Sequence, residues 1–342
     1  MSISSKTRRR FLKTAAACGA ALAGGAARPR AARAQQGGGD ATLPLTIRLA
    51  GYGPPSTSFS RGLEHIGSRL TQRFGADVDV RYVYNVMEVG YGGGDLSWLV
   101  DAGVLTLAYA TLSENIPELE AAALPFVFAD DASARAAMDG PLGRAAARSI
   151  EAVLDVRVLG FFENGFRHIS NNVRPVRTPA DLRGLRIRCL PVQTRTFELL
   201  GAEPSPIPLA EAIDAIRSGQ LDGQENPFAN TVTYGLYSLQ RYHTATYHSY
   251  LSRPVFVNRA VFESWPADVQ SALETAVGEA VALQRQLKTQ EEAEAADTIR
   301  AAGGEILELT QAERARFLDA VAPIYSEARD RYSPELLALL DL

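Results

Sequence analysis

Thr178-Pro179-Ala180-Asp181-Leu182-Arg183-Gly184-Leu185-Arg186-Ile187-Arg188-Cys189-Leu190 holds a helix start, a helix stop and a half-buried strand in one run. Thr178 offers a cap oxygen, Pro179 suits the first helical position, Asp181 follows the cap by three residues, and Gly184 terminates the turn. This predicts one turn of helix. Leu185 to Leu190 then alternates apolar and basic, which puts Arg186 and Arg188 on one strand face and Leu185, Ile187 and Cys189 on the other. Downstream, Leu209, Ala212, Ile213 and Ile216 recur at helical spacing until Ser218-Gly219. Leu221-Asp222-Gly223-Gln224-Glu225-Asn226-Pro227 follows as a turn dense in amides and carboxylates. From Phe161 to Asn230 the chain thus reads strand, turn, short helix, strand, helix, helix, turn. Arg167, Arg188 and Asn226 come from three separate segments of it and can converge.

Outside this stretch the same grammar repeats. Leu45 to Ala50 reads as a strand, Phe59 to Phe74 as an amphipathic helix and Asp77 to Tyr84 as a second strand. The glycine-rich loop Gly90-Tyr91-Gly92-Gly93-Gly94 feeds a helix from Asp95 to Asp101, and Val104 to Tyr109 is a nearly all-apolar strand. Strand and helix in alternation imply an α/β fold with a mainly parallel sheet, whose ligands bind beyond the carboxyl ends of the strands. Two Ala-rich helices divided by Gly140-Pro141 lead to a strand at Val156 to Phe162, which starts a crossing into a second lobe; Tyr247 to Asn258 is the return crossing. Between Pro266 and Ala302 no proline interrupts an Ala/Glu/Gln/Leu-rich run, so one helix longer than a lobe, about 50 Å, is expected there. Leu307 to Leu342 adds two shorter helices.

Charge is distributed unevenly. Eight Lys or Arg and no acid fall within the first 34 residues, leaving 27 basic against 39 acidic residues in the remainder, a balance of −12. An acidic body argues against nucleic acid as a partner. Thr7-Arg8-Arg9-Arg10-Phe11-Leu12-Lys13, an Ala/Gly run and Ala32-Arg33-Ala34 together resemble a twin-arginine (Tat) export signal with cleavage before Gln35. The run from Thr14 to Ala27 is too short and too Ala/Gly-rich to span a bilayer, so the product is not membrane-embedded. Only Cys189 survives such cleavage, so no intramolecular disulfide forms in the mature chain.

The run "GLRIRCLPVQ…FELLGAEPSPIPLAEAIDAIRSGQLDGQENP" resembles the solute-binding subunit of tripartite ATP-independent periplasmic (TRAP) transporters, of the dicarboxylate-binding-protein type, and the likeness extends from about Leu45 to about Tyr325. That resemblance implies a two-lobed periplasmic binding protein fold with mixed, mainly parallel sheets, interlobe crossings and a long helix bridging the lobes. It implies that Arg188 forms a salt bridge with a ligand carboxylate, with Arg167 and Asn226 as partners. It further implies a periplasmic location, a small organic acid as ligand, and membrane permease subunits that receive it. The transporter family is ion-driven, so no cofactor is expected. The division expected is 1–34 signal peptide, 35–42 linker, 43–163 plus 252–290 lobe I, and 164–251 plus 291–342 lobe II.

Read from residue chemistry alone, Arg167 and Arg188 have two possible roles. A guanidinium fork matches a carboxylate in a bidentate way and gains strength when desolvated in a cleft. It can equally pair with an internal acid such as Glu163 or Glu225. Tyr91 and Tyr109, at a loop and a strand end of the first lobe, are candidates for the rest of the ligand, with ordinary packing as the other reading. The glycine loop lacks a following Gly-Lys-Ser/Thr and reads as a turn lining the cleft. No HExxH, CxxC or GxSxG occurs, so metal and nucleophile chemistry lack a motif. The remaining alternatives are a secreted α/β enzyme acting on a carboxylate substrate and the binding protein of an ATP-driven importer.

Overall fold

The computed structural model describes residues 44–112 and 115–342; the export signal and linker read in the sequence lie outside the described residues. Two mixed sheets organise the rest. The first takes β1 (Leu45–Ala50), β2 (Val78–Val83), β3 (Leu107–Tyr109), β4 (Val156–Phe166) and, much later, β10 (Tyr250–Asn258), in the order β2-β1-β3-β10-β4. The second takes β5 (His168–Asn171), β6 (Arg186–Arg188), β7 (Glu203–Ser205), β8 (Gly223–Asn226), β9 (Tyr242–Ala245) and β11 (Glu305–Glu308), in the order β11-β9-β5-β8-β6-β7. Parallel β1–β2 and β1–β3 pairing is the product of the βαβ alternation. β10 then runs antiparallel to both β3 and β4. This antiparallel insertion is what a return crossing produces.

Between the sheets the chain passes from β4 into β5 through one residue, Arg167. Gly165, with φ of +86°, makes the bend at a cost that a side chain would raise. Arg167 N donates to Ser249 O at 2.9 Å and His248 N donates to Arg167 O at 3.2 Å, so outgoing and returning crossings are hydrogen-bonded side by side. The pairing slips by one residue at Asn164, which bulges from β4 opposite Leu251 and Ser252. Bulges re-aim a side chain while leaving the ladder on either side intact.

Most elements begin where local chemistry dictates. Thr57 caps the helix Ser58–Phe74 by accepting from Ser60 N, and Leu63, Ile66 and Leu70 fall on its buried face. Pro179–Leu182 is one turn with reciprocal Thr178 and Asp181 caps, as the sequence predicts. The long helix is Ala267–Ala301, 35 residues, hence about 50 Å. Its first half buries Leu273, Ala276 and Val277 in the core of the first sheet, while Ala295 and Ile299 join Phe228 and Ala245 on the second. Between them two neighbouring carboxylates reach in different directions. Glu291 accepts from Ser58 N, and Glu292 accepts from Phe228 N at 2.6 Å and Ala229 N at 3.2 Å. Each satisfies the free N–H groups at the start of a helix, one packed on each sheet.

Several elements differ from the sequence reading. Gly223-Gln224-Glu225-Asn226 is a strand at the middle of the second sheet, between β5 and β6, where a turn is expected. A Cβ on Gly223 would meet Ser170 O at 2.2 Å, so the glycine serves close strand approach. The apolar run expected from Val104 narrows to Leu107–Tyr109, with Val104 exposed. In place of two helices, the tail forms β11 and then helices Gln311–Val321, Pro323–Arg331 and Pro334–Ala338. Phe317 and Val321 pack in the second lobe's core, but Ile324, Ala328, Leu336 and Leu337 pack against the first. Pro323 starts a new helix directly after Ala322, and the chain turns back toward the first sheet there.

Candidate functional site

Three of the residues singled out in the sequence lie on or beside one seam of the second sheet. Arg167 is 1% exposed and Glu225, facing it, is wholly buried. Its Nε and Nη2 engage the two carboxylate oxygens of Glu225, and Nη2 also donates to Glu225 O at 2.7 Å and to Asn226 Oδ1 at 3.0 Å. Nη1 makes no hydrogen bond among the described residues. The internal partner is thus realised for one edge of the fork. Burial alone would raise the carboxyl pKa of Glu225, but the Arg167 charge and its hydrogen bonds, with His248 nearby, hold it down at about 2. His248 Nε2 lies 3.8 Å from that carboxylate without a hydrogen bond, and burial keeps the imidazole pKa below its ordinary value although Glu225 opposes this.

Arg188 is different. It is 5% exposed, its Nε donates to Ile207 O at 3.1 Å, and it makes no ion pair among the described residues. Burial lowers its pKa, the Glu225 charge works against that, and Arg167 adds to it. A guanidinium remains protonated under such pressure. The outcome is a desolvated cation whose terminal nitrogens have no carboxylate of their own. β6 places it there because Ile187 and Cys189 are completely buried on the opposite face, as the alternation predicts.

Asn226 Oδ1 accepts from Arg167 and, at 3.4 Å, from Asn230 Nδ2, while its own Nδ2 donates to Gln224. Asn230 also reaches Asn164 Oδ1 at 3.4 Å. Asn164, at the bulge in β4, is fully buried and its Nδ2 has no acceptor among the described residues. Asn164 is tied through Asn230 and Asn226 to Arg167, and a buried amide donor left open at the end of that chain is suited to an incoming oxygen ligand. Sequence reasoning missed Asn164, because bulges leave no mark on a single sequence.

The aromatic candidates divide. Tyr109 is completely buried in the first sheet's core, 4.9 Å from the Phe59 ring, and its hydroxyl accepts from Tyr52 N at 3.3 Å. Packing accounts for its ring. Tyr91 is 41% exposed and meets Trp98 edge-on at 6.1 Å, and among the described residues no hydrogen bond or ring contact ties it to the arginine seam. Tyr234, not singled out by the sequence, instead joins the two sheets: its hydroxyl donates to Tyr52 O at 3.4 Å, and it lies within electrostatic reach of both Arg188 and Arg253. Burial pushes its phenol up to about 12, so it is a neutral donor and acceptor.

Cys189 is buried, and desolvation pushes its thiol up to about 12. That is an inert cysteine and no nucleophile. Among the described residues no cluster of His, Cys, Asp and Glu could hold a metal ion, and no helix is long and apolar enough to cross a membrane. A surface groove lined by Thr194, Arg195, Glu198, Glu327 and Arg331 holds none of the arginine seam, and its arginines are ion-paired.

Residues 89–331 match the family described as bacterial extracellular solute-binding protein, family 7. The chain belongs to this family. As a family 7 solute-binding protein it is 32% identical to the 2,3-diketo-L-gulonate-binding periplasmic protein YiaO of Escherichia coli, over 64% of this chain and 66% of that one. It therefore spans just under two thirds of that relative's length. It is 28% identical to the C4-dicarboxylate-binding periplasmic protein DctP of Rhodobacter capsulatus, over 86% of this chain and 90% of that one. Among solved structures, a TRAP periplasmic solute-binding protein from Ochrobactrum anthropi, with a C-terminus bound in its ligand-binding pocket, is 30% identical with a TM-score of 0.77, covering 87% of this chain and 95% of that one. Two mixed sheets joined by crossings are thus the two-lobed fold of TRAP solute-binding proteins.

Proposed function

We infer that this solute-binding protein captures an organic acid between its two lobes, with Arg188 as the anchor for the ligand carboxylate and Arg167, Asn226 and Asn164 orienting it. The observation that carries this reading is the buried guanidinium of Arg188, which lacks an acidic partner among the described residues. Lobe I comprises 43–166 with 250–290, a few residues beyond the crossings expected at 163 and 252 because β4 and β10 continue that far in the first sheet, and lobe II comprises 167–249 with the chain from 291 to the end of the Gln311–Val321 helix; the last two helices return to lobe I. Ligand contacts to both lobes favour a closed form, and the loaded protein hands its acid to TRAP permease subunits in the membrane. Tyr109 backs the cleft from within the lobe I core, and Tyr91 lies at its periphery. The protein acts as a carrier and not an enzyme, which agrees with the inert thiol of Cys189 and with relatives named for binding. The test is calorimetric titration with carboxylates and with neutral sugars and amines of matched size, alongside mass spectrometry of ligand co-purified with the protein. Binding of carboxylates alone is the expected result; tight binding confined to neutral or cationic compounds would overturn the reading.

Export to the periplasm rests on Arg8-Arg9 with Phe11-Leu12. Replacing both arginines by lysine is expected to leave precursor in the cytoplasm on fractionation, because Tat signals depend on the pair whereas general secretion needs only positive charge. Undiminished periplasmic yield from the double variant would count against it.

A further inference from the structure

We propose that His248 is the proton-accepting member of the arginine seam, so that the cleft takes up its anion together with a proton. This rests on the carboxylate reading of Arg188 and deepens it by naming a regulator of that same site. His248 is fully buried beside the return crossing. Its Nδ1 lies 2.7 Å from Thr246 Oγ1, its Nε2 lies 3.8 Å from Glu225 Oε2, and Nε2 has no hydrogen-bond partner among the described residues. Glu225 is also the acid that the Arg167 fork grips, and its Oε1 accepts from Leu190 N at 3.0 Å, two residues after Arg188. The imidazole and Arg167 thus address the same carboxylate. Neutral imidazole fits this setting poorly, because its one N–H can serve only one side. Thr246 Oγ1 lies 3.4 Å from Arg167 O; when the hydroxyl donates there, Nδ1–H donates to Thr246 and the bare Nε2 lone pair is turned on a carboxylate. When the hydroxyl donates to Nδ1 instead, Nε2–H faces Glu225 from too far away to bond. Only the imidazolium has an acceptor for both of its N–H groups, once the gap to Glu225 closes by about 0.8 Å.

Charge as well as burial withholds that proton. The charged and titratable groups acting on the ring are Glu225 from β8, Arg167 from the crossing and His168 from β5. The ring of Phe197, 5.5 Å away on the helix Thr194–Leu199, and the N–H of Phe126 that donates to His248 O are neutral. Arg188 enters the local balance through Glu225 and Arg167, whose charges act on it. Two buried guanidiniums against one buried carboxylate leave an excess of one positive charge, and an imidazolium would add to it. A bound carboxylate cancels the excess. The proton affinity of His248 is then higher with the anion than without it, and by reciprocity the anion binds tighter where His248 is protonated. Binding therefore strengthens as pH falls, and weakens as pH rises through the range in which the liganded ring titrates.

The experiment is calorimetric titration with galactonate, galacturonate and lactate, acids that stay ionised between about pH 5 and pH 8. Each is run in two buffers of different ionisation enthalpy, so that the protons taken up per anion bound are counted. Wild type is expected to take up a fraction of a proton that grows as pH falls, with binding at least about threefold tighter at pH 5 than at pH 8. His248→Gln is expected to show neither effect. Wild-type binding with no proton uptake and a flat pH profile overturns the proposal and leaves the carboxylate reading standing. Uptake that persists in His248→Gln overturns it as well. If none of the acids binds, the carboxylate reading fails and this inference with it. Thermal unfolding checks that His248→Gln folds. Should it not, Thr246→Val, which removes the Nδ1 acceptor, is expected to cut the uptake at least twofold, and undiminished uptake in that variant overturns the proposal.

Discussion

Arg188→Ala is expected to raise the dissociation constant for the captured acid by about thirtyfold to several thousandfold, since removing one side of a desolvated charge pair costs roughly 2–5 kcal/mol. The carboxylate would enter the same cleft and find no fork. Arg188→Lys is expected to fail substantially as well, because a point ammonium cannot reproduce a bidentate contact. Fold stability should survive both changes. Among the described residues Arg188 makes one side-chain hydrogen bond, to Ile207 O, and its burial is a cost that alanine removes. Titration of wild type and both variants, with thermal unfolding in the absence of ligand, separates the outcomes. Binding within about twofold of wild type would place the site elsewhere, and loss of the fold would make Arg188 a structural residue.

Glu225→Gln should have the opposite signature. It leaves Arg167 buried and charged beside an amide, and breaking a buried pair from one side costs roughly 3–5 kcal/mol. Urea unfolding of the ligand-free protein measures this directly. A double change to Arg167→Met with Glu225→Leu should recover much of the loss while abolishing whatever Arg167 contributes to ligand orientation. The same pair predicts a pH dependence. The folded-state pKa of Glu225, about 2, lies below its ordinary 4.5, so its stabilisation is fully present above about pH 4.5 and declines as pH falls toward 2. In Glu225→Gln that portion of the acid sensitivity should disappear. A variant as stable as wild type, with an unchanged acid profile, would show that the pair is not stabilising.

How much of this could be read from the sequence depends on how local the governing chemistry is. The Pro179–Leu182 turn was legible because cap, proline and acid sit within four residues of each other. β6 was legible because alternation reports the two faces of a strand, and the long helix because nothing in it breaks a helix. β8 was not. Its Gln224, Glu225 and Asn226 look like turn residues, and they tolerate the centre of a sheet only because Ser170, Thr231 and Arg167 supply partners from elsewhere. Short strands such as β5, β7 and β9 are likewise defined by the neighbours they pair with. Of the candidate site, Arg188, Arg167 and Asn226 came from a motif, and motifs do not extend to Asn164, whose place is set by the bulge in β4.

The adjoining carboxylates of Glu291 and Glu292 give the long helix a role beyond spanning. Successive residues on a helix point about 100° apart, and here the two neighbouring carboxylates reach two different helix starts, at Ser58 and Phe228. The two lobes are therefore phased by the helix as well as linked by it. An inserted or deleted residue between Leu273 and Ala295 would turn the second half by about 100° and slide it by about 1.5 Å, so that Ala295 and Ile299 no longer faced the second lobe. Chain length is consequently free to drift in the surface loops of this protein but not along this helix.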